Sequence, residues 1–275
     1  MKNLTNKIIL LVAAVCMVVF ANPAHSDTGT ASEIINETQI TSMGVKNVDR
    51  GSLNSVERRV RHAAVKVYSQ MGGHGSGTYV RHMGFHLVIT AAHVTRGDIG
   101  DLYRIGATDS SSVLGVLVYE DSDIDAAVIL VPRIQDRTPM RYRPLSVSAE
   151  VGTDVVYSGY PSDLSLLTIR GAVAGYDRIP QNGPVILLHT YGWFGCSGSG
   201  IYDDRGRYVG VLWGVSVERF PYPQVIEDII WVTPSYMIDE NEILEGIVNV
   251  TSGDADISGL SNRRTQRRAA RLVRN

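Results

Sequence analysis

Three short segments of the sequence carry residue types that together could cleave an acyl bond. Ser197 lies in the glycine-rich segment 195–200, His93 follows two alanines at the end of an apolar run, and Asp125 directly precedes the apolar run 126–129. Acyl transfer requires a hydroxyl or thiol nucleophile, an imidazole that accepts its proton, and a carboxylate that fixes the tautomer of this imidazole. The three residues are therefore candidates for a catalytic triad.

Each of the three residues also has a purely structural interpretation. Glycines around a serine can form a flexible loop, which the sequence alone does not distinguish from a nucleophile turn. A single histidine at the end of a strand is commonly a structural residue, and an acid before a buried strand is often a turn or cap residue. The hypothesis of catalysis depends on the three occurring together.

The segments that surround these residues predict an all-β protein. Roughly a dozen short β-rich runs, separated by Gly, Pro, Asp and Ser, follow one another between residues 63 and 234, with no long helix between them. The polar, proline-containing segment 133–154 divides the runs into two groups. A short helix capped by Ser55 is predicted before them, and apolar spacing in the segment 235–247 predicts a short closing helix.

The same three segments resemble the signature segments of trypsin-like serine proteases. Residues 90–93, 125–129 and 195–200 agree with that family in order and spacing, and the nearest pattern is that of its HtrA-like bacterial and viral members. Residues 75–80 resemble the hairpin that leads to the catalytic histidine, and Leu212–Gly214 resembles the strand that lines the primary specificity pocket. The resemblance covers roughly residues 63–234.

The resemblance implies a pair of six-stranded antiparallel β-barrels with a short C-terminal helix. We expect the first barrel at residues 55–145, and the second barrel with the closing helix at residues 146–247. His93 and Asp125 would come from the first barrel and Ser197 from the second, so that the active site would lie in the cleft between them.

The resemblance also assigns a role to each site residue. Ser197 would attack the scissile carbonyl, His93 would accept and return its proton, and Asp125 would orient the imidazole. The backbone N–H groups of Gly195 and Ser197 would form the oxyanion hole. The backbone of Leu212, Trp213 and Gly214 would pair with an extended substrate segment.

Two neighbouring residues compete for these roles. Cys196 is a possible nucleophile, because cysteine replaces serine in some viral relatives, but the glycines at 195 and 198 put Ser197 in the nucleophile's register. Asp123 is a possible triad acid, but the family keeps the second residue after this acid small and apolar. That position would be Asp125 if Asp123 were the acid, and it is Ala127 if Asp125 is.

At two positions the sequence differs from digestive enzymes of the trypsin-like family, and these differences predict the substrate preference and the mode of activation. Tyr191 stands six positions before Ser197, where trypsin has an acid that holds Lys or Arg. We therefore expect a preference for uncharged, small or apolar side chains. Cys196 stands where those relatives have an acid that receives a new N-terminal ammonium. We therefore expect no activation through such a salt bridge.

Both ends of the chain carry segments outside the barrels. Lys2 and Lys7 precede an apolar run at residues 8–21 and then small residues, which is typical of a signal peptide at residues 1–26. Residues 27–54 suit a flexible leader or pro-segment. The sequence thus predicts a secreted or periplasmic protein, and an uncleaved membrane anchor is the alternative.

The C-terminal segment 248–275 is predicted to be a disordered basic tail. Its last fifteen residues contain arginines and no acid, so binding of an anionic partner is a possible function of the tail. The whole chain of 275 residues has a net charge of −2, which argues against bulk attraction to nucleic acid. Removal of the signal peptide would leave Cys196 as the one cysteine, so the mature chain could form no internal disulfide.

These observations lead to the hypothesis of an exported serine endopeptidase that acts on polypeptides without a metal or organic cofactor. A catalytically inactive protease-like binding module is one alternative. A membrane-anchored interaction protein is the other.

Overall fold

The computed structural model describes residues 52–107, 111–162, 164–179, 182–218, 222 and 224–252. The predicted signal peptide, nearly all of the predicted leader and the arginine-rich end of the tail lie outside these residues. The helices are α1 (Ser55–Ala63), α2 (Ala92–Thr95) and α3 (Glu240–Thr251), with a 3-10 turn at Ser235–Met237. None of the helices within the described residues is long and apolar enough to span a membrane.

The first barrel consists of six antiparallel strands. In chain order, these strands are β1 (Ala64–Tyr68), β2 (His74–His82), β3 (Phe85–Thr90), β4 (Leu102–Gly106), β5 (Ser112–Asp121) and β6 (Ala126–Leu130). Around the barrel they follow the order β1-β4-β5-β6-β3-β2, and pairing of β2 with β1 closes the ring. A two-residue strand, β7 (Met140–Arg141), pairs with β2 in parallel.

The second barrel has the same number of strands. They are β8 (Asp154–Gly159), β9 (Leu167–Ile179), β10 (Gly183–His189), β11 (Gly200–Asp203), β12 (Tyr208–Glu218) and β13 (Gln224–Pro234). They close in the order β10-β13-β12-β11-β8-β9. The predicted pair of six-stranded antiparallel barrels, with a short C-terminal helix, is confirmed.

Three apolar clusters hold this arrangement together. One fills the first barrel and includes Val65, Val88 and Ile129, and a second fills the other barrel and includes Ile186 and Val232. The third cluster combines residues of both barrels with residues of α1 and α3. This third cluster therefore joins the barrels directly.

Helix α1 ties the start of the first barrel to the second. Asn54, rather than the predicted Ser55, caps the helix, since its side chain accepts hydrogen bonds from the N–H groups of Val56 and Glu57. The buried carboxylate of Glu57 accepts a 2.9 Å hydrogen bond from Arg170 on β9. This hydrogen bond from Arg170 lowers the pKa of Glu57. Residues 52–54, predicted as part of the leader, thus adjoin a helix that bridges the barrels.

Helix α3 begins and ends later than the predicted segment 235–247. Asp239 caps its N-terminus by accepting hydrogen bonds from the N–H groups of Asn241 and Glu242. Ile243 and Ile247 are buried in the cluster between the barrels. The helix runs to Thr251, so residues 248–251, which the sequence placed in the tail, are helical.

Candidate active site

The end of β3 and the one-turn helix α2 place His93 beside Asp125. Nδ1 of His93 lies 2.7 Å from one carboxylate oxygen of Asp125, and the other oxygen accepts the backbone N–H of His93 at 2.8 Å. Asp125 has a positive φ of 56° and lies directly before β6. A carboxylate held at both oxygens keeps a proton on Nδ1, so that Nε2 is the basic nitrogen.

Asp123 does not contact His93 in this way. Its backbone N–H donates to the carboxylate of Asp121, within the turn before β6. The histidine is also the more accessible partner of the pair, with 33% of its side chain exposed against 12% for Asp125. The arrangement agrees with Asp125, not Asp123, as the acid next to the imidazole.

Hydrogen bonds from both barrels hold the loop that contains Ser197. The N–H of Gly198 donates to the carbonyl of Leu212 at 2.7 Å, and the N–H of Ser76, on β2, donates to the carbonyl of Ser197 at 2.7 Å. Gly198 has a φ of 93°, and a Cβ there would lie 2.0 Å from the carbonyl oxygen of Ser76. Only glycine allows the loop to lie this close to the first barrel.

Gly75 lies between the loop that contains Ser197 and the residue that follows His93. A Cβ on Gly75 would lie 2.5 Å from the side chain of Val94, the residue after His93, and 2.9 Å from the carbonyl oxygen of Ser197. The hydrogen bonds of the described residues include none between the ring of His93 and the hydroxyl of Ser197. In unliganded enzymes such contacts are often long and tighten when substrate binds.

Two backbone N–H groups of this loop are available to bind an anion. The carbonyl of Phe194 accepts the N–H of Ser162 at 2.7 Å, and the carbonyl of Cys196 accepts the N–H of Ser199 at 3.0 Å. In a trans peptide the C=O and N–H groups point in opposite directions, so the N–H groups of Gly195 and Ser197 point away from these partners. Neither N–H donates a hydrogen bond to any other described residue. This pair fits the predicted oxyanion hole.

Residues 75–211 match the trypsin-like peptidase domain family. The chain belongs to the trypsin-like serine protease family. It is a serine endopeptidase, a hydrolase that acts on polypeptides. No curated protein matches the chain in sequence.

Solved structures of proteases share the fold. The active form of the Rv3671c protease from M. tuberculosis is 19% identical, with a TM-score of 0.55 over 82% of this chain and 94% of that one. The inactive form of the Rv3671c protease is 21% identical, with a TM-score of 0.53 over 72% and 93%. A serine endoprotease from Yersinia pestis is 19% identical, with a TM-score of 0.55 over 70% and 66%. At these identities, the likeness concerns the fold.

Leu212 and Trp213 lie on β12, the strand that the family resemblance assigns to substrate binding. Leu212 is buried in the core of the second barrel, and its N–H and carbonyl both bond to the nucleophile loop, at Ser199 and Gly198. Its side chain therefore does not reach a substrate. Trp213 lies at a β-bulge, where the pairing register shifts between Leu212 and Gly214. Bulges next to active sites commonly re-aim a side chain.

Trp213 and Gly214 form part of an aromatic wall of the protease. The half-buried ring of Trp213 packs edge-on against Trp231 at 5.2 Å and also contacts the core of the first barrel. A Cβ on Gly214 would lie 3.3 Å from the ring of Trp231. Glycine at this position thus keeps the face of Trp231 uncovered.

Tyr191 lies at the other wall, close to an acid that sequence reasoning missed. Its carbonyl accepts the hydroxyl of Tyr157, and the N–H of the next residue, Gly192, donates to the carbonyl of Glu227 at 2.7 Å. Burial raises the pKa of Tyr191, and the carboxylate of Glu227 adds to this. The side chain of Glu227 is exposed.

Cys196 is part of the protease core. Its side chain is fully buried in the second barrel, with Sγ 3.7 Å from the hydroxyl oxygen of Tyr157. Burial raises the pKa of the Cys196 thiol. A buried neutral thiol is a poor nucleophile, so the geometry favours Ser197 for that role. No group of three His, Cys, Asp or Glu side chains that could hold a metal ion occurs within the part of the chain that the structure describes.

Proposed function

We propose that the protein is an exported serine endopeptidase with Ser197, His93 and Asp125 as its catalytic triad. The observation that carries the proposal is the double hydrogen bond between Asp125 and His93, next to the loop that holds Ser197. Asp125 keeps Nδ1 protonated, which leaves Nε2 free to accept the hydroxyl proton of Ser197.

The reaction would proceed in two acyl-transfer steps. Oγ of Ser197 bonds to the scissile carbonyl carbon while His93 takes the hydroxyl proton of Ser197. The oxyanion that forms accepts hydrogen bonds from the N–H groups of Gly195 and Ser197. His93 returns the proton to the leaving amine as the C–N bond breaks. Water then attacks the acyl-enzyme and gives its proton to His93, and His93 returns this proton to Oγ of Ser197 as the ester bond breaks.

The edge of β12 offers the substrate a strand to pair with. On the side away from β13, β12 pairs with β11 only from Tyr208 to Val211, and the remainder, from Trp213 to Glu218, has no strand partner there among the described residues. An extended peptide can therefore add to this edge through backbone hydrogen bonds. This mode favours unfolded or loop segments as substrates.

The proposed side-chain preference follows from the aromatic wall. Trp213 and Trp231, together with Tyr191, suit an uncharged or apolar side chain. A peptide library would test this, and we expect uncharged residues at the position before the cleaved bond. A profile dominated by Arg or Lys would contradict this preference. If the Glu227→Gln variant then lost the selectivity for Arg or Lys, Glu227 would be identified as its cause.

A fluorophosphonate probe tests the triad and separates an enzyme from an inactive binding module. We expect one adduct on Ser197, identified by mass spectrometry of the labelled peptide, and no adduct in Ser197→Ala. The matched control is Ser199→Ala, which lies two residues further along the same loop and should label like the wild type. Absence of labelling in a folded wild-type protein would support the binding module.

Export is proposed from the N-terminal sequence alone. The basic start, the apolar run at residues 8–21 and the small residues after it have the order of a cleaved signal peptide. The basic tail is proposed as a contact for an anionic partner.

A further inference from the structure

The hydroxyl of Ser76 forms hydrogen bonds with two segments of the second barrel, one of which is the loop that contains Ser197. Oγ of Ser76 donates to the carbonyl of Gly195 at 2.7 Å and accepts the backbone N–H of Tyr160 at 2.9 Å. Ser76 is fully buried, and Gly195 is half-buried. The side chain of Ser76, from the first barrel, therefore links Tyr160 to the loop that contains Ser197.

Four consecutive carbonyls of this loop, at residues 194–197, each accept a hydrogen bond, and Ser76 supplies two of the four donors. Its backbone N–H binds the carbonyl of Ser197, and its hydroxyl binds that of Gly195. The donors to the carbonyls of Phe194 and Cys196 are backbone N–H groups. The Ser76 hydroxyl is thus the one side-chain donor among the four, and the one that a substitution can remove.

Gly195 is the point at which the loop could change shape. Its φ is 93°, and glycine adopts both this conformation and those at negative φ without a Cβ penalty. If the Ser76 hydroxyl were removed, the carbonyl of Gly195 would lose the donor that holds it. An unsatisfied buried group costs about 1–3 kcal/mol, so the loop would rotate to satisfy it and carry the N–H of Gly195 out of position.

We propose that Ser76 is a positioning residue that holds the oxyanion hole in its active geometry. The inference rests on the proposed function, because it assumes that the N–H groups of Gly195 and Ser197 bind the oxyanion. Ser76 does not touch the substrate, so it acts on the transition state and leaves ground-state binding unchanged.

The matched control is Ser199, whose hydroxyl lies in the same buried space. A Cβ on Gly159 would lie 2.3 Å from Oγ of Ser199 and 3.0 Å from Oγ of Ser76. Oγ of Ser199 has no hydrogen-bond partner within the described residues. Ser199→Ala thus removes a neighbouring serine hydroxyl without removing a hydrogen bond.

The test compares kcat, KM and the affinity of a peptidyl boronate in the wild type, Ser76→Ala and Ser199→Ala. We expect Ser76→Ala to lower kcat by about 10- to 100-fold, somewhat less than direct loss of an oxyanion donor, with KM within about threefold. The affinity for the boronate, which mimics the tetrahedral intermediate, should fall by the same factor as kcat/KM. Ser199→Ala should match the wild type in all three quantities.

Binding of an uncleaved peptide separates positioning from general structural damage. In a Ser197→Ala background, calorimetry should give the same Kd with and without Ser76→Ala. If Ser76→Ala does not fold, Ser76→Cys decides, because its thiol is close in size and a weaker hydrogen-bonding group. We expect an intermediate kcat from that variant at an unchanged KM.

Two outcomes would overturn the inference. One is a kcat near that of the wild type in folded Ser76→Ala or, where that variant does not fold, in Ser76→Cys. The other is an equal loss in Ser76→Ala and Ser199→Ala. Either would leave the proposed function intact as long as Ser197→Ala alone abolishes activity. Activity that survives Ser197→Ala would instead contradict the proposed function itself.

Discussion

At the residue scale, the pairing of Asp125 with His93 is the most closely defined feature of the site. Both carboxylate oxygens are occupied by N–H groups of one histidine. An asparagine at 125 could accept the backbone N–H of His93, but its amide would favour the wrong ring tautomer. The sequence favours Asp125 over Asp123 because the family keeps the second residue after this acid small and apolar, and that residue is Ala127 for Asp125.

Asp125→Asn should therefore reduce kcat by about 10⁴-fold with little change in KM. Asp123→Asn is the matched control, since it makes the same chemical change two residues away, and we expect its kcat to stay within about threefold of the wild type. Steady-state kinetics on one fluorogenic peptide measures both variants. A large loss in Asp123→Asn with an active Asp125→Asn would reverse the assignment.

Cys196 should be chemically silent in the folded protein. Its thiol is fully buried, and burial raises its pKa, so the reactive thiolate is suppressed at neutral pH. Iodoacetamide at pH 7.5 should leave activity and the Cys196 mass unchanged, whereas the same treatment in urea should alkylate it. Alkylation of the folded protein with a parallel loss of activity would argue for a cysteine nucleophile.

The supporting residues of the site were not predictable in the same way. Ser76, on the first barrel, and Ser162, on the second, lie far apart in the sequence, and each hydrogen-bonds to the loop near Gly195. Ser76 lies in the segment 75–80 that resembles the hairpin before the catalytic histidine, but no spacing rule indicates a hydrogen bond across 119 residues. The burial of Leu212 likewise depends on how β12 pairs with its neighbours.

At the scale of elements, α3 contacts the first barrel at a glycine. A Cβ on Gly246 would lie 1.8 Å from the carbonyl oxygen of Val118 on β5. Apolar spacing predicted a closing helix but not its last turn, residues 248–251, although Val250 follows Ile247 at helical spacing and packs against the cluster between the barrels. The one-turn helix α2 was also missed, since a segment of four residues shows no helical periodicity.

Gly246→Ala should destabilise the protein, although alanine forms helices better than glycine. The gain in helix propensity is about 1 kcal/mol, while displacement of α3 from β5 costs more, so we expect a net loss of about 1–3 kcal/mol in the free energy of unfolding. Glu245→Ala, at the exposed neighbouring position, should be neutral or slightly stabilising. Urea unfolding gives both values, and a more stable Gly246→Ala would show that the helix does not pack this closely.

At the scale of the whole molecule, the number of short β-rich runs and the polar segment between two groups of them were sufficient to predict two β-units. Their closure into two six-stranded barrels came from the family resemblance, because strand order depends on pairing between distant segments. The cluster between the barrels, which includes Val60 of α1 and Ile243 of α3, was not visible in the sequence. It explains why residues 55–63 belong to the folded unit.

The N-terminus of the mature protein tests the predicted export. We expect purified protein from the native host to begin near Asp27, because Ala24 and Ser26 provide the small residues that signal peptidases prefer. Mass spectrometry of the intact chain and its N-terminal peptide would measure this. An uncleaved N-terminus in a membrane fraction would favour the anchored interaction protein instead.

Cleavage of casein by the wild type and by Ser197→Ala tests the central claim most directly. The substitution removes one oxygen atom at a half-buried position, so the fold should be unchanged and thermal unfolding should confirm this. We predict that the wild type cleaves casein and that cleavage by Ser197→Ala falls by at least about 10³-fold. Equal cleavage by both proteins, or none by a folded wild type, would contradict the claim that Ser197 is the nucleophile of an active protease.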